Sequence, residues 1–272
     1  MMKNYRYLIL RRLTQITLLV LYVGANAWGW KMLQGNLSTS SILGTIPLSD
    51  PYAVIQIAVT GASLGMDILL GALIVTLFYG VIGGRAFCSW VCPINIITDT
   101  AAWLRRALKF SEVQKRFYMS RSLRYWILGL SLILSALMGV AAFELISPIS
   151  MAHRGLIFGM GMGGGALIVI FLFDLLVHEN GWCGYVCPLG ATYSLIGKFS
   201  LIRVFHDADK CTDCRSCITV CPEKEVLHMI NRSSESVLMG ECTNCGRCVD
   251  VCQEDALGFS IRSFTKQPKD EE

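Results

Sequence analysis

The sequence is poor in charge and almost empty of histidine. Only 16% of its 272 residues are Asp, Glu, Lys or Arg, against the roughly 25% usual in a soluble domain. From Met32 to Gly84 there is no Lys or Arg at all. These absences exclude an ordinary water-soluble globule. The four histidines are His153, His178, His206 and His228; no two stand at one depth on two helices, which argues against a bis-histidine haem within the chain. Net charge is only +4, and the basic residues stand beside apolar stretches, where they act as topology signals rather than as a nucleic-acid surface.

What is present is apolar: 53% of residues and a mean hydropathy of +0.51. Four stretches, 13–33, 64–84, 123–146 and 156–178, approach the roughly 20 residues that a membrane helix needs. They predict an all-α polytopic membrane domain over 1–200 with four transmembrane helices. A shorter apolar stretch, 52–63, extends the second helix or lies at the interface. The basic start MMKNYRYLILRR leads into an apolar run reaching Trp30, longer than the roughly 7–15 residues of a signal-peptide core, so it reads as a retained first helix. Lys3, Arg6, Arg11 and Arg12 precede that span, and Arg85, Arg105, Arg106, Lys109, Lys115, Arg116 and Arg121 separate the second from the third. By the positive-inside rule both termini face the cytoplasm of a bacterial inner membrane. The glycines from Gly155 to Gly165 in the fourth span suit close helix packing in lipid.

Twelve cysteines would suggest a disulfide scaffold only in a short secreted chain. Their spacing points to metal. Residues 211–222 read CTDCRSCITVCP and 242–253 read CTNCGRCVDVCQ, each C-x2-C-x2-C-x3-C. Two interlocked runs are not the paired pattern of a zinc site; they resemble the bacterial two-cluster ferredoxin, in which the fourth Cys of each run ligates the other cluster. That resemblance implies a small α+β domain over 201–262 with two 4Fe–4S clusters, one on Cys211, Cys214, Cys217 and Cys252, the other on Cys242, Cys245, Cys248 and Cys221. Gln253 stands where proline is usual, which affects a turn and not a ligand. Within the linker, VLHMI and SVLMG suit short strands around a polar NRSSE turn, and 263–272 is a charged tail.

The remaining cysteines form an internal repeat, GGRAFCSWVCP at 83–93 and GWCGYVCPLG at 181–190. Each C-x3-C-P follows an even-numbered span. On a helix, residues four apart share a face, so Cys88 would sit beside Cys92 and Cys183 beside Cys187. The four thiols either bind a further metal or cluster, or form a metal-free redox or structural set; spacing alone leaves both open.

Ionisable groups inside spans are functional candidates. Asp67, Glu144 and His153 fall on the outer side and would border a quinol site, where a carboxylate or histidine accepts protons, or merely face headgroups at helix ends. Asp174, His178 and Glu179 fall on the inner side.

Four spans, C-x3-C-P after the second and fourth, and a C-terminal two-cluster run together resemble the NapH family, the membrane quinol dehydrogenase component of periplasmic nitrate reductase systems. The membrane core also resembles parts of NosR and the CcoG (RdxA/FixG-like) proteins, which are longer. The NapH resemblance implies electrons taken from the quinol pool and passed through a NapG-like periplasmic ferredoxin and a c-type cytochrome toward nitrate reductase. The CcoG resemblance implies instead a cytoplasmic-facing copper reductase or assembly factor. A redox-sensing regulator is a third reading.

Overall fold

A computed structural model describes residues 5–108, 119–158 and 161–262. The basic residues Lys3, Lys109, Lys115 and Arg116, Gly159 and the charged tail lie outside the described residues. Helix α1 (Arg6–Trp28) starts seven residues earlier than the hydropathy suggests and stops where Gly29 takes a left-handed φ of 69°. A three-stranded antiparallel meander follows: β1 (Leu33–Gly35), β2 (Thr39–Ile42) and β3 (Ile46–Ser49). Asp50 then caps a separate helix, α2 (Pro51–Val59), its side chain accepting from Ala53 N, with Pro51 in the first turn. The stretch 52–63 therefore does not extend the next helix, because Gly61 at φ 78° breaks the chain before α3 (Met66–Ile82).

The first C-x3-C-P lies on the short α4 (Ala86–Trp90) and its exit, followed by α5 (Ile94–Ala107). The expected third span is divided. Helix α6 (Leu123–Met138) ends at left-handed Gly139, and Ser135 Oγ accepts the amide of Ala142 to start α7 (Ala142–Ile146). The expected fourth span is also divided, into α8 (Pro148–Phe158) and α9 (Gly161–Leu176), which pack on each other. There, a Cβ on Gly163 would stand 3.0 Å from the Met151 carbonyl. A π-helical turn, Trp182–Val186, carries Cys183 into α10 (Pro188–Gly197).

The C-terminal domain is α+β. Strand β4 (Ile202–His206) is central between β5 (Glu235–Ser236) and β6 (Leu257–Ile261), both antiparallel. The short helices α11 (Ser216–Val220) and α12 (Arg247–Val251) carry the ends of the two cysteine runs. The linker forms a 3-10 turn at Lys224–Leu227 in place of a first strand.

The helical region is inverted relative to a soluble protein. On α1, α3, α6 and α9, residues such as Leu13, Leu73, Leu77, Leu137 and Val169 are exposed, while Gln15, Ser131 and Ser135, and Gln56 of α2, are buried. Several of the buried polar groups pair between elements. Tyr52 and Ser131 share a 2.7 Å hydrogen bond, and Gln56 Oε1 accepts from Phe143 N at 3.0 Å. Among the described residues, α1 is long and apolar enough to cross a membrane, and Met66–Ile82, Leu123–Met138 and Gly163–Leu176 are shorter apolar helices.

Buried arginines lock the two domains together. Arg85, 1% exposed, donates to Glu223 and, at 3.0 Å, to the Glu241 carbonyl. Its other amino group donates to the Cys183 carbonyl at 2.8 Å. Arg124 donates to Glu241 at 2.9 Å, and Arg121 pairs with both Glu223 and Glu225. A second knot gathers Arg11 and Arg12 of α1 and Arg247 of α12 around Asp99 of α5. Arg85, Arg11 and Arg105, which the charge pattern marks only as topology signals, are all at most 2% exposed. Removing one side of a buried ion pair leaves charge uncompensated and costs about 3–5 kcal/mol. Glu223→Ala should therefore lower the stability of the detergent-solubilised protein by that order in chemical denaturation; an unchanged midpoint would show that the lock carries no weight.

Candidate metal centres and a neighbouring cavity

The cysteine loops of the C-terminal domain share one backbone design. Asp213 and Arg215 in the first run and Asn244 and Gly246 in the second adopt positive φ, at 51°, 56°, 47° and 74°. Alternation of left-handed residues with cysteines turns successive N–H groups inward, a concavity suited to anionic centres such as iron–sulfur clusters. Cys211, Cys214, Cys217 and Cys252 line one cavity. Cys221, Cys242, Cys245 and Cys248 line a second. Each cavity thus combines three thiols of one run with the fourth of the other. Burial raises the Cys217 and Cys242 thiols to about 11 and lifts Cys248 well above the usual range, with neighbouring thiols adding to the shift. Cys214 is exposed and shifts the other way, through hydrogen bonds from Ser216.

The C-x3-C-P repeat builds a third such cavity. Cys88, Cys92, Cys183 and Cys187 all line it, with Phe87, Ile94, Phe143, Trp182 and Leu189 among the apolar walls. The expected regular helix is absent at both motifs. Cys92 N donates to Phe87 O at 3.0 Å and Cys187 N to Trp182 O at 2.9 Å, a five-residue step that widens the turn, as π-bulges do at many functional sites. Burial pushes Cys92 and Cys183 well above the ordinary thiol range and Cys187 to about 12, and the adjacent thiols push in the same direction. Cys92 and Cys187 are buried, whereas Cys88 and Cys183 are partly exposed. Among the described residues, no three His, Cys, Asp or Glu converge on a single-ion site.

The first C-x3-C-P motif packs on the second ferredoxin loop. Ser89 Oγ donates to Thr243 O at 2.7 Å and Trp90 Nε1 to Asn244 O at 3.0 Å, joining the first C-x3-C-P to the second ferredoxin loop. Asn244 Nδ2 in turn donates to Ile82 O and Ile202 O, both at 2.8 Å.

The expected outer-side acids fare unequally. Glu144 accepts from Ser38 and Ser150, both at 2.6 Å, and His153, 4% exposed, lies edge-on to Tyr22 at 5.1 Å. Neither lines the nearby cavity of about 390 Å³; His153 touches its wall residue Tyr22, and Glu144 bonds Ser38, the chain neighbour of its wall residue Leu37. Asp67 does not line this cavity. It is exposed in the first turn of α3, where a carboxylate favours the positive helix end. Hydropathy reasoning did not single out Asp50 and Tyr193, which line this cavity; Asp50, an acid directly before proline after a charge-free stretch, was the available signal.

The fold and the sulfur-lined cavities define an iron–sulfur electron-transfer protein. A family model described as "4Fe-4S binding domain" matches residues 64–111 and again 158–205, and a "4Fe-4S dicluster domain" matches 203–253. The chain is 45% identical over 237 residues to the ferredoxin-type protein NapH of Haemophilus influenzae, covering 86% of this chain and 82% of that one. It is 42% identical to NapH of Escherichia coli, over 83% of this chain and 78% of the relative. It is also 42% identical to the methylamine utilization ferredoxin-type protein MauN of Methylorubrum extorquens, over 88% and 83%. The chain belongs to this NapH and MauN ferredoxin-type family. No solved structure matches it.

Gly246 combines a φ of 74° with no space for a side chain, since a Cβ there would stand 2.3 Å from the Tyr7 ring. Gly246→Ala should displace α1 from the second ferredoxin loop and make the cluster there oxygen-labile, seen as faster loss of 400 nm absorbance in air than in the parent protein.

Proposed function

We propose that the chain is the membrane subunit of a quinol dehydrogenase, holding three 4Fe–4S clusters, one in each four-cysteine cavity. The observation that carries this is the repetition of one arrangement: three cavities, each lined by four thiols. The two ferredoxin cavities take the ligand sets that the runs imply. Cys88, Cys92, Cys183 and Cys187 hold the third cluster. The match of each C-x3-C-P segment to a "4Fe-4S binding domain" supports that reading over a metal-free thiol set.

The inverted burial supports a bilayer around α1, α3, α6 and α9, because apolar exteriors and hydrogen-bonded polar interiors suit lipid. In this reading the termini and the ferredoxin domain face the cytoplasm. Each quinol oxidised to quinone releases two protons and two electrons, and the clusters supply sites that accept one electron at a time. The acceptor is a redox protein outside the chain. A NapG-like ferredoxin and a c-type cytochrome fit one branch of the family, and a methylamine-utilization system fits the other equally well by identity. The copper-reductase reading is less favoured, since the relatives at 42% and 45% identity are ferredoxin-type proteins.

Anaerobically purified protein should contain about 12 irons per chain, four per cubane, and Cys183→Ser should contain about eight. A parent value of about eight would refute the third cluster. Adding a reduced quinol analogue without air should bleach the cluster absorbance; full retention of absorbance over minutes would count against quinol as donor.

A further inference from the structure

The cavity of about 390 Å³ lies on the far side of Phe87 from the third four-thiol cavity, for Phe87 lines both. Its size falls in the range of small-molecule sites, about 300–1,000 Å³. Its walls are apolar, from Leu18 and Leu21 of α1, Leu37 and Leu48 of the meander, and Val75 of α3. One end is polar. Ser49 is 2% exposed and its Oγ has no hydrogen-bond partner among the described residues. Asp50 is 7% exposed, takes no part in the ion pairs found among the described residues, and accepts from Tyr193 Oη at 3.1 Å. Tyr193 stacks on Phe87 with ring centres 4.8 Å apart and planes 9° from parallel. Tyr79 stands edge-on to both rings, at 5.8 and 5.3 Å.

A buried carboxylate with only neutral partners retains acceptor capacity, and an unpartnered hydroxyl beside it is costly unless a ligand completes it. Both residues line a space whose walls suit an apolar ring with polar substituents. We propose that this cavity binds the ring of a quinol, with Asp50 accepting a hydrogen bond from one ring hydroxyl, Ser49 meeting an adjacent ring oxygen, and Phe87 forming the wall shared with the thiol cavity. The proposal rests on the quinol dehydrogenase reading and locates its substrate. His153 stands one layer out, edge-on to the wall residue Tyr22. Tyr193 is a positioning residue: it holds the Asp50 carboxylate and the Phe87 ring in one arrangement.

The test is binding of 2-heptyl-4-hydroxyquinoline N-oxide, a quinol analogue whose fluorescence is quenched when bound, to the full-length protein with its clusters in place. Parent protein should bind it, and an added short-chain quinone should compete. Val75→Trp and Leu21→Trp, which fill the cavity from two different helices, should each weaken binding at least about tenfold. Asp50→Asn should weaken it about tenfold through loss of a charged hydrogen-bond acceptor. Iron content at the parent level identifies variants that have folded, and the two tryptophan positions guard against failure of either one. Parent protein that neither binds the probe nor is bleached by quinol contradicts the quinol reading as a whole. Parent protein that binds the probe while all iron-replete variants bind equally well overturns this placement alone.

Discussion

The buried contact of Arg85 with Glu223 and with the carbonyls of Cys183 and Glu241 is the constraint on which the architecture depends. One guanidinium touches the second C-x3-C-P turn, the residue two after Cys221, and the residue before Cys242. It thereby sets the position of two four-thiol cavities relative to each other. A hydrophobic contact of the same size would hold the domains together as firmly, since desolvating charges offsets much of their attraction. What the planar fork adds is direction: several bonds at fixed angles allow one docking geometry. Arg124, reaching Glu241 from α6, and Arg247, reaching Asp99 from α12, repeat the device at either side.

With that geometry fixed, the thiol cavities acquire an order. The C-x3-C-P cavity is enclosed by aromatic and aliphatic walls. The cavity of Cys221, Cys242, Cys245 and Cys248 lies across the Ser89–Thr243 and Trp90–Asn244 contacts. The remaining cavity, with exposed Cys214, sits at the periphery, where a soluble partner would reach it. Crowded, buried thiols are unfavourable as thiolates unless a cation compensates them, which is the compensation that the proposed third cluster would supply. The same enclosure would limit solvent access, one of the levers on a cluster's potential.

Much of this was legible in the chain. The ferredoxin runs announced their cavities residue by residue, because ligand spacing is dictated by the cluster and by local turns. The C-x3-C-P repeat announced a shared site, though not its widened turns, since the hydrogen bond from Cys92 to Phe87 depends on packing. Hydropathy located α3 to within two residues at each end, but it read through Gly139 and through the boundary between α8 and α9, since apolar content does not register a change of direction. The docking arginines were hidden for a related reason. Arg85 is equally suited to a headgroup and to a buried carboxylate, and only its distant partner, 138 residues on, decides. Asp50 was missed because its importance comes from Tyr193, on an element far away in sequence.

The central claim is that three iron–sulfur centres stand in one series fixed by the arginine lock. Electron paramagnetic resonance of the fully reduced protein tests it most directly. The expected result is a signal integrating to about three spins per chain, one per reduced cubane, broadened by dipolar interaction between neighbours and simplified when Cys183→Ser removes the enclosed centre. A spectrum of isolated, unbroadened signals, or one that Cys183→Ser leaves unchanged, would contradict it.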